Sequence, residues 1–148
     1  MKLYSAQASQ AIDQDAIHNA KIPGILLMKR AGFFAFKTLE QIWPSAKHIH
    51  IVCGTGNNGG DGFVIAQYSA LAGYDVSVSI LGDSQKIKGD ALTALTELKA
   101  LSIEPQAFSK QHIQQADVII DAIFGTGLDK LVTEDFAEAI EQINQVKK

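Results

Sequence analysis

Apolar residues recur along this chain with two periods, and the change from one period to the other marks the predicted elements. Helical spacing predicts helices over residues 5–19, 25–42, 63–72, 90–101 and from 133 onward. Short β-branched or alternating runs predict strands over residues 48–53, 75–81, 103–108 and 117–123. Strands that alternate with helices of this length form a parallel sheet with helices on both faces. The sequence therefore predicts an α/β domain whose first two helices form an N-terminal extension.

The apolar stripes of the helices indicate which side chains meet the core. The stripe of the second helix consists of Met28, Gly32, Ala35, Leu39 and Ile42. Its small residues, Gly32 and Ala35, would let a neighbouring element approach closely. The helix over 90–101 presents Leu92, Leu95, Leu98 and Leu101. The strand over 117–123 is almost continuously apolar, as expected of a strand that is buried on both faces.

Length and charge limit the classes of protein to which the chain can belong. It has 148 residues, of which 47% are hydrophobic and 20% charged, as in an ordinary soluble domain. Its formal net charge is −3, so it does not have the excess of basic residues that is typical of nucleic-acid-binding proteins. No stretch has the roughly 18 consecutive apolar residues of a membrane span, and no apolar leader opens the chain. We expect a cytoplasmic protein that binds neither nucleic acid nor membrane.

The end of the chain bears on its domain organisation. The last predicted element is a helix, and an α/β fold usually places another strand after such a helix. Residues 1–148 are therefore expected to form one domain that is incomplete at its C-terminal end.

Cysteine and histidine indicate neither a disulfide nor a zinc site. Cys53 is the only cysteine, and its apolar surroundings predict a core residue. None of the four histidines stands at zinc-ligand spacing from another ligand. His48 and His50 alternate with apolar residues and are expected to face one side of a strand.

The turn after the first strand, Gly54–Gly62, contains five glycines in nine residues. The first three match G-x-G-x-x-G between a strand and a helix, the context that gives this motif meaning. Glycine lets the backbone approach an anion closely, and the following helix offers free N–H groups to a phosphate. Because packing alone would not require so many glycines, a phosphate site is predicted. Asn57, Asn58 and Asp61 add oxygen ligands that favour a cation or a sugar as well.

A second loop, residues 121–128 with the sequence DAIFGTGL, follows the last predicted strand. Ligands of open α/β sheets bind at the carboxyl ends of the strands, so both loops are expected at the same edge. Asp121 lies in an otherwise apolar strand, where an unpaired buried carboxylate is unfavourable. It is expected to bind a cation or backbone donors, and the simpler alternative is a hydrogen bond to the neighbouring turn.

Three motifs that follow one another in order resemble those of the NAD(P)H-hydrate epimerase family, the YjeF-type N-terminal domain. They are IPGILLMKRAG at 22–32, GTGNNGGDG at 54–62 and DAIFGTG at 121–127. The resemblance runs through nearly the whole chain. It implies a Rossmann-like three-layer α/β/α sandwich with a mostly parallel sheet. It also implies an isomerase that interconverts the R and S forms of hydrated NADH or NADPH in cofactor repair, with a potassium ion in its site.

The resemblance also implies roles for individual residues. The hydrated cofactor would contact two segments, which comprise Asn57, Asn58, Gly59, Gly60 and Asp61, and Gly125, Thr126, Gly127, Leu128, Asp129, Lys130 and Leu131. Asn58 and Asp121 would bind potassium. Inversion at C6 of the hydrate needs a proton transfer to or from oxygen, for which Asp61 is the first candidate among the residues present.

The chain departs from the family pattern in two respects. The family's later V-D-x-P-S-G segment, which supplies a substrate-binding Asp and a potassium-binding Ser, is not among residues 1–148, so the site is expected to be incomplete. Lys29 and Arg30 replace the usual Glu and Asn of M-E-N-A-G. The resemblance further implies a homodimer and, in some members, a C-terminal ADP- or ATP-dependent NAD(P)H-hydrate dehydratase domain or partner.

Two other functions stay open from the sequence. A noncatalytic nucleotide-binding or protein-interaction module would use the same pocket without turnover. A nicotinamide dehydrogenase would need an acid about 20 residues beyond the glycine turn to hold the ribose. Asp83 stands at a tolerable spacing for that role, but no catalytic base accompanies it.

Overall fold

The computed structural model describes residues 4–128 and 131–146, and within them the predicted helices and strands occur in the predicted order, with one further short helix. The helices are α1 (Ala6–His18), α2 (Gly24–Ile42), α3 (Asn57–Leu71), α4 (Gly89–Ala100), α5 (Lys110–Gln115) and α6 (Glu134–Gln145). The strands are β1 (His48–Cys53), β2 (Asp75–Ile80), β3 (Gln106–Ala107) and β4 (Val118–Ala122), and a 3₁₀ turn spans Ser84–Lys86. Among the described residues, no helix combines the length and the hydrophobicity needed to span a bilayer.

The sheet is parallel, with its strands in the order β3–β2–β1–β4. Its register aligns Cys53, the last residue of β1, with Ile80 of β2 and with Ala122 of β4. These three strands therefore end at one edge, and the segments that follow β1 and β4 begin side by side. This arrangement is the one that the sequence predicts for the two glycine-containing loops.

Helices cover both faces of the sheet, because successive residues of a strand point to opposite sides. Ile49, Ile51 and Cys53 pack in one core with residues of α2, α3 and α4. Val52 packs in a second core with residues of α5 and α6. The predicted three-layer α/β/α sandwich is thus confirmed. The N-terminal extension has two parts, since α2 contributes core residues whereas α1 buries none.

Three elements differ from their predictions. α3 begins at Asn57 instead of residue 63, because close packing of its glycines offsets their low helix propensity. β3 covers two residues of the strand that was expected over 103–108. The pattern does not predict α5, since a helix of six residues with one buried side chain, Ile113, has too little apolar periodicity.

The predicted stripe of α2 is partly wrong. The buried residues of α2 are Met28, Gly32, Phe36 and Leu39. Ala35 and Ile42 are exposed instead, because the face that meets the core continues from Gly32 to the residue four positions later. The predicted close approach is confirmed at Gly32, where a Cβ would lie 2.5 Å from Cγ1 of Val64 on α3.

Helix α4 is confirmed, and only two of the four leucines of its apolar pattern are buried. The buried residues of α4 are Ala91, Ala94, Leu95 and Leu98. Leu92 and Leu101 are 46% and 39% exposed. Alanines take the core positions because α4 packs closely on α3, as shown by the 3.0 Å between Ala91 Cα and the Cβ position of Gly60. The size of the neighbouring space therefore decided between leucine and alanine.

Candidate functional site

The glycine-rich turn, residues 54–62, leads from the end of β1 into the first turns of α3. Gly56 precedes the helix, and its carbonyl accepts a hydrogen bond from the N–H of Gly60 at 3.1 Å. The N–H groups of Asn57, Asn58 and Gly59 have no earlier helical carbonyl to which they could donate. An anion at this helix start would meet free N–H groups and the positive end of the helix dipole.

The loop after β4 lies against this turn. The N–H of Gly54 donates to the carbonyl of Ala122 at 3.0 Å, which joins the ends of the two strands. A Cβ built on Gly125 would lie 3.2 Å from Cβ of Asn58 and 3.4 Å from its Oδ1. The predicted meeting of the two loops is therefore confirmed, with Asn58 between them. The roles of these residues in binding a substrate stay predictions.

Packing within the protein explains four of the five glycines. A Cβ on Gly54 would lie 2.2 Å from the carbonyl oxygen of Ile123, and one on Gly59 would lie 2.0 Å from the carbonyl oxygen of Gly54. Gly60 and Gly62 are crowded mainly by side chains, with Sδ of Met28 2.7 Å from the Cβ position of Gly60 and Sγ of Cys53 2.6 Å from that of Gly62. The number of glycines is thus not in itself evidence of a phosphate site, contrary to the sequence argument.

Gly56 is the glycine of the turn that packing leaves unexplained. It is exposed, and no atom lies within 4 Å of the position of its Cβ. Its φ of −98° is open to any residue, so the backbone conformation does not require glycine either. Gly56 is therefore the point of the turn at which a ligand could approach the backbone.

Asp61 lies on the second turn of α3 and is half-buried. Burial raises the pKa of its carboxyl from 3.8 to about 6, and the charge of Asp13 on α1 adds to the effect. A carboxyl with this pKa exists in both protonation states near neutral pH. It could therefore either donate or accept a proton, as the predicted role requires.

Asp121 does not have the environment expected from the sequence. It lies in β4 among apolar residues, but its side chain is exposed at the end of the strand. Its Oδ1 accepts a hydrogen bond from the N–H of Ile123 at 2.9 Å. The expectation that Asp121 is buried is wrong, because its side chain is exposed near the end of β4, whereas the expected backbone donor is present as the N–H of Ile123. The simpler alternative of a hydrogen bond to the neighbouring turn is confirmed.

Five of the seven remaining predicted substrate residues lie in the part of the chain that the structure describes, and they are exposed. Gly125, Thr126, Gly127, Leu128 and Leu131 are all exposed, and Leu131 is 97% exposed. Asp129 and Lys130 lie outside the described residues.

Two polar residues of α1 that the sequence analysis missed also reach this edge. Nε2 of Gln10 is 3.8 Å from the Cβ position of Gly127, and Asp13 is the charge that acts on Asp61. No signal in the sequence marked them, because neither belongs to a motif and α1 is far from both loops along the chain.

Two polar residues that raised questions in the sequence have structural partners away from the turn. Nζ of Lys29 pairs with Oε1 of Glu97 at 2.7 Å, which joins α2 to α4. The departure from the family motif at this position therefore serves a contact between helices. The carboxylate of Asp83 accepts a hydrogen bond from the N–H of Gln85 at 3.0 Å and caps the 3₁₀ turn. This cap gives Asp83 a structural role in the turn.

Three of the four histidines lie together beside β1, and of these three His50 is buried. His48 and His50 face the same side of β1 and share the hydroxyl of Ser77, at 2.8 and 2.7 Å. His112 of α5 lies beside them, with 5.5 Å between its ring centroid and that of His50. Among the described residues, no cluster of three or more His, Cys, Asp or Glu could hold a metal ion. Burial raises the pKa of Cys53, as expected of a core thiol.

Cavities elsewhere on the surface do not coincide with the turn. Four of about 280, 360, 490 and 520 Å³ are lined by other segments, and residues 54–62 line none of these four. The candidate site is therefore an open edge of the sheet where α3 begins.

Comparison with known proteins places the chain beside cofactor-repair enzymes. Residues 24–148 match the family model described as YjeF-related protein N-terminus. The chain is 33% identical over 144 residues to the NAD(P)H-hydrate epimerase of Rhodopirellula baltica, across 95% of this chain and 59% of that protein. It is 36% identical over 140 residues to the NAD(P)H-hydrate epimerase of Limosilactobacillus fermentum, across 95% of this chain and 67% of that protein.

Other matches extend the comparison. The bifunctional NAD(P)H-hydrate repair enzyme Nnr of Coxiella burnetii is 35% identical over 143 residues, which are 97% of this chain and 29% of that enzyme. A yeast protein of known crystal structure has the same fold, with a TM-score of 0.84 and 24% identity over 97% of this chain and 65% of that one. The chain thus spans between about a third and two thirds of the length of these proteins.

Proposed function

Because this chain belongs to the family of YjeF-related protein N-termini, we propose that it interconverts the R and S epimers of hydrated NADH and NADPH. The observation that carries the proposal is the turn GTGNNGGDG, which stands at the start of α3 and meets the loop after β4. The relatives named NAD(P)H-hydrate epimerase support it, since they match nearly the whole chain.

The first part of the proposal concerns how the substrate is held. The diphosphate of the hydrated cofactor lies at the free N–H groups of Asn57, Asn58 and Gly59, where the dipole of α3 favours negative charge. The exposed backbone at Gly56 allows the phosphate to come close. The exposed residues 125–128 cover the substrate from the other side.

The second part concerns a potassium ion. Amide and carboxylate oxygens are the ligands that hard cations prefer. Asn58 Oδ1 lies between the two loops, and Asp121 presents an exposed carboxylate at the end of β4, so the residues fit such an ion. In the proposal these two residues hold potassium, which supplies positive charge beside the bound diphosphate.

The third part concerns the chemistry at C6 of the hydrate. This carbon bears a hydroxyl and a ring nitrogen, so it can invert when hydroxide leaves to give an iminium or when the ring opens to an aldehyde. Protonated Asp61 donates its proton to the leaving hydroxyl, or ionised Asp61 takes the hydroxyl proton as the C–N bond breaks. In the first route the hydroxyl leaves as water, and water then attacks the other face of the iminium and gives a proton back to Asp61. In the second route the ring nitrogen leaves with the C–N electron pair and then attacks the other face of the aldehyde carbon, while Asp61 returns its proton to the oxygen.

An Asp61→Asn variant tests this role. It keeps the shape of the site and removes the proton transfer, so we expect the rate of epimerisation to fall by at least about 100-fold. The complete natural protein is incubated with purified S or R hydrate, and exchange between epimers is followed by chromatography. A rate that is unchanged from the wild-type protein removes Asp61 from the chemistry.

An Asp83→Asn variant serves as the matched control. Asp83 is an exposed acid that caps a 3₁₀ turn, so the epimerase proposal expects no loss of rate. A dehydrogenase that held ribose through Asp83 would instead lose affinity for the cofactor. If the wild-type protein binds the hydrate but does not exchange its epimers, the noncatalytic alternative is correct.

Potassium binding is tested without turnover. We expect thermal unfolding to shift upward in potassium chloride relative to lithium chloride of equal ionic strength, by about 2–4 °C for each kcal/mol of binding. Asn58→Ala and Asp121→Ala should each abolish the difference between the two salts, whereas Asp83→Ala should retain it. Equal unfolding temperatures of the wild-type protein in both salts would argue against the ion.

Partners and location belong to the same proposal. The bifunctional relatives support a dehydratase domain in some proteins that contain this domain. Association of this chain with such a domain, a homodimer and a cytoplasmic location all stay predictions.

A further inference from the structure

Helix α1 lies against the candidate site rather than against the core. None of its residues is buried. Near its start, Nε2 of Gln10 lies 3.8 Å from the Cβ position of Gly127 in the loop after β4. Near its end, Cδ1 of Ile17 lies 3.5 Å from the Cβ position of Gly24 at the start of α2. The helix thus passes from one loop of the site to the base of α2.

One face of α1 makes these contacts. Residues that are three, four or seven apart lie on the same side of a helix, so Asp13 stands between Gln10 and Ile17. From this position its charge acts on the half-buried carboxyl of Asp61. α2 approaches the backbone of Asp61 through Gly32, which carries no charge.

The opposite side of α1 has a different role. Asp15 lies there, and its Oδ1 accepts a hydrogen bond from Nδ2 of Asn19 at 2.6 Å.

Gln10 and Asp13, on the side of α1 that faces the candidate site, are both exposed. The match to the family model begins at Gly24, after the end of α1.

We propose that α1 forms one wall of the substrate site, in which Gln10 contacts the bound hydrated cofactor and Asp13 acts as a positioning residue on Asp61. The identity of the substrate rests on the proposed function. Gln10 donates or accepts a hydrogen bond beside the loop at Gly127. Asp13 favours the protonated form of Asp61 because two neighbouring carboxylates resist ionising together.

Steady-state kinetics of the complete natural protein between pH 4.5 and 9 test both roles. Gln10→Ala should raise KM about fivefold and leave kcat unchanged, as loss of one neutral hydrogen bond predicts. Asp13→Asn should move the ionisation that Asp61 imposes on the rate to lower pH, whether Asp61 acts as acid or as base. Asp15→Asn, on the other side of the helix, should change neither. If Gln10→Ala and Asp13→Asn match Asp15→Asn, the proposal is overturned.

A second measurement separates this proposal from the function on which it rests. The carboxyl carbon of Asp61 is titrated by NMR in the wild-type protein and in the Asp13→Asn and Asp15→Asn variants, with no substrate present. A lower midpoint in Asp13→Asn alone supports the role of α1, even if the wild-type protein shows no epimerisation. An unmoved midpoint in Asp13→Asn overturns that role, even if the wild-type protein is an active epimerase.

Discussion

At the scale of single residues, the same residue type has different functions at neighbouring positions. Gly54 and Gly59 are needed because backbone atoms occupy the space of a side chain, whereas Gly56 faces open space. The two carboxylates differ in the same way. Asp61 is half-buried and near a second acid, while Asp121 is exposed and bonded to its own turn. Position within the fold, rather than residue type, therefore determines which of them could carry proton transfer.

Alanine substitution in the turn tests this difference between the glycines. Gly59→Ala would force a Cβ to within 2.0 Å of the carbonyl oxygen of Gly54, so we expect a loss of at least about 2 kcal/mol in the free energy of unfolding. Gly56→Ala meets no atom and has a suitable φ, so its stability should stay within about 0.5 kcal/mol of wild type. Urea denaturation measures both. Equal losses in the two variants would contradict the packing explanation.

At the scale of elements, contacts between strands and helices decide what each segment does. α3 includes the glycine-rich segment because that segment packs on β1 and α2. On the other face, the ring of His50 links β1 to β2 through Ser77 and Ser79, at 2.7 and 3.1 Å. Burial, and then the nearby charges of His112 and His48, lower the pKa of His50 to about 4. This part of the sheet is therefore built around a neutral imidazole.

Acid should destabilise the protein through His50. Between pH 6.5 and about 4 the unfolded chain binds a proton at this residue and the folded chain does not. Stability from His50 is thus fully present above pH 6.5 and is lost as the pH falls towards 4, by about 3 kcal/mol in total. His50→Leu should remove this component of the pH dependence, measured by urea denaturation from pH 7 to pH 4.5.

The difference between variants isolates the effect of His50. Asp61 acts in the opposite direction, because its raised pKa makes the folded state bind more protons between pH 3.8 and about 6. The wild-type protein and the His50→Leu variant both retain Asp61, so the contribution of Asp61 cancels when their pH dependences of stability are compared. His18→Gln, at the exposed end of α1, should keep the wild-type slope. If the free energy of unfolding of His50→Leu depends on pH as that of the wild-type protein does, protonation of His50 does not destabilise the fold.

At the scale of the whole molecule, the two ends of β1 carry different polar groups. The carboxyl end opens into the glycine turn, with Asp61 beyond it. Nearer the amino end, His48 and His50 form hydrogen bonds with the hydroxyl groups of β2, and these bonds explain why histidines stand there. The parallel register brings the loops after β1 and β4 together at the carboxyl edge, and α1 closes one side of that edge. The candidate chemistry is thus confined to one edge of the sheet.

The sequence by itself determined the kind and order of most elements, because hydrophobic periodicity reports local geometry directly. It also determined where the two loops meet, since parallel strands align their carboxyl ends. Only the tertiary structure decided at which glycines neighbouring atoms occupy the space of a side chain, that Asp121 is exposed and that α5 exists. It also decided that Asp13 lies near Asp61 and that His112 lies near His50. These features depend on contacts between residues far apart along the chain, and no local pattern records such contacts.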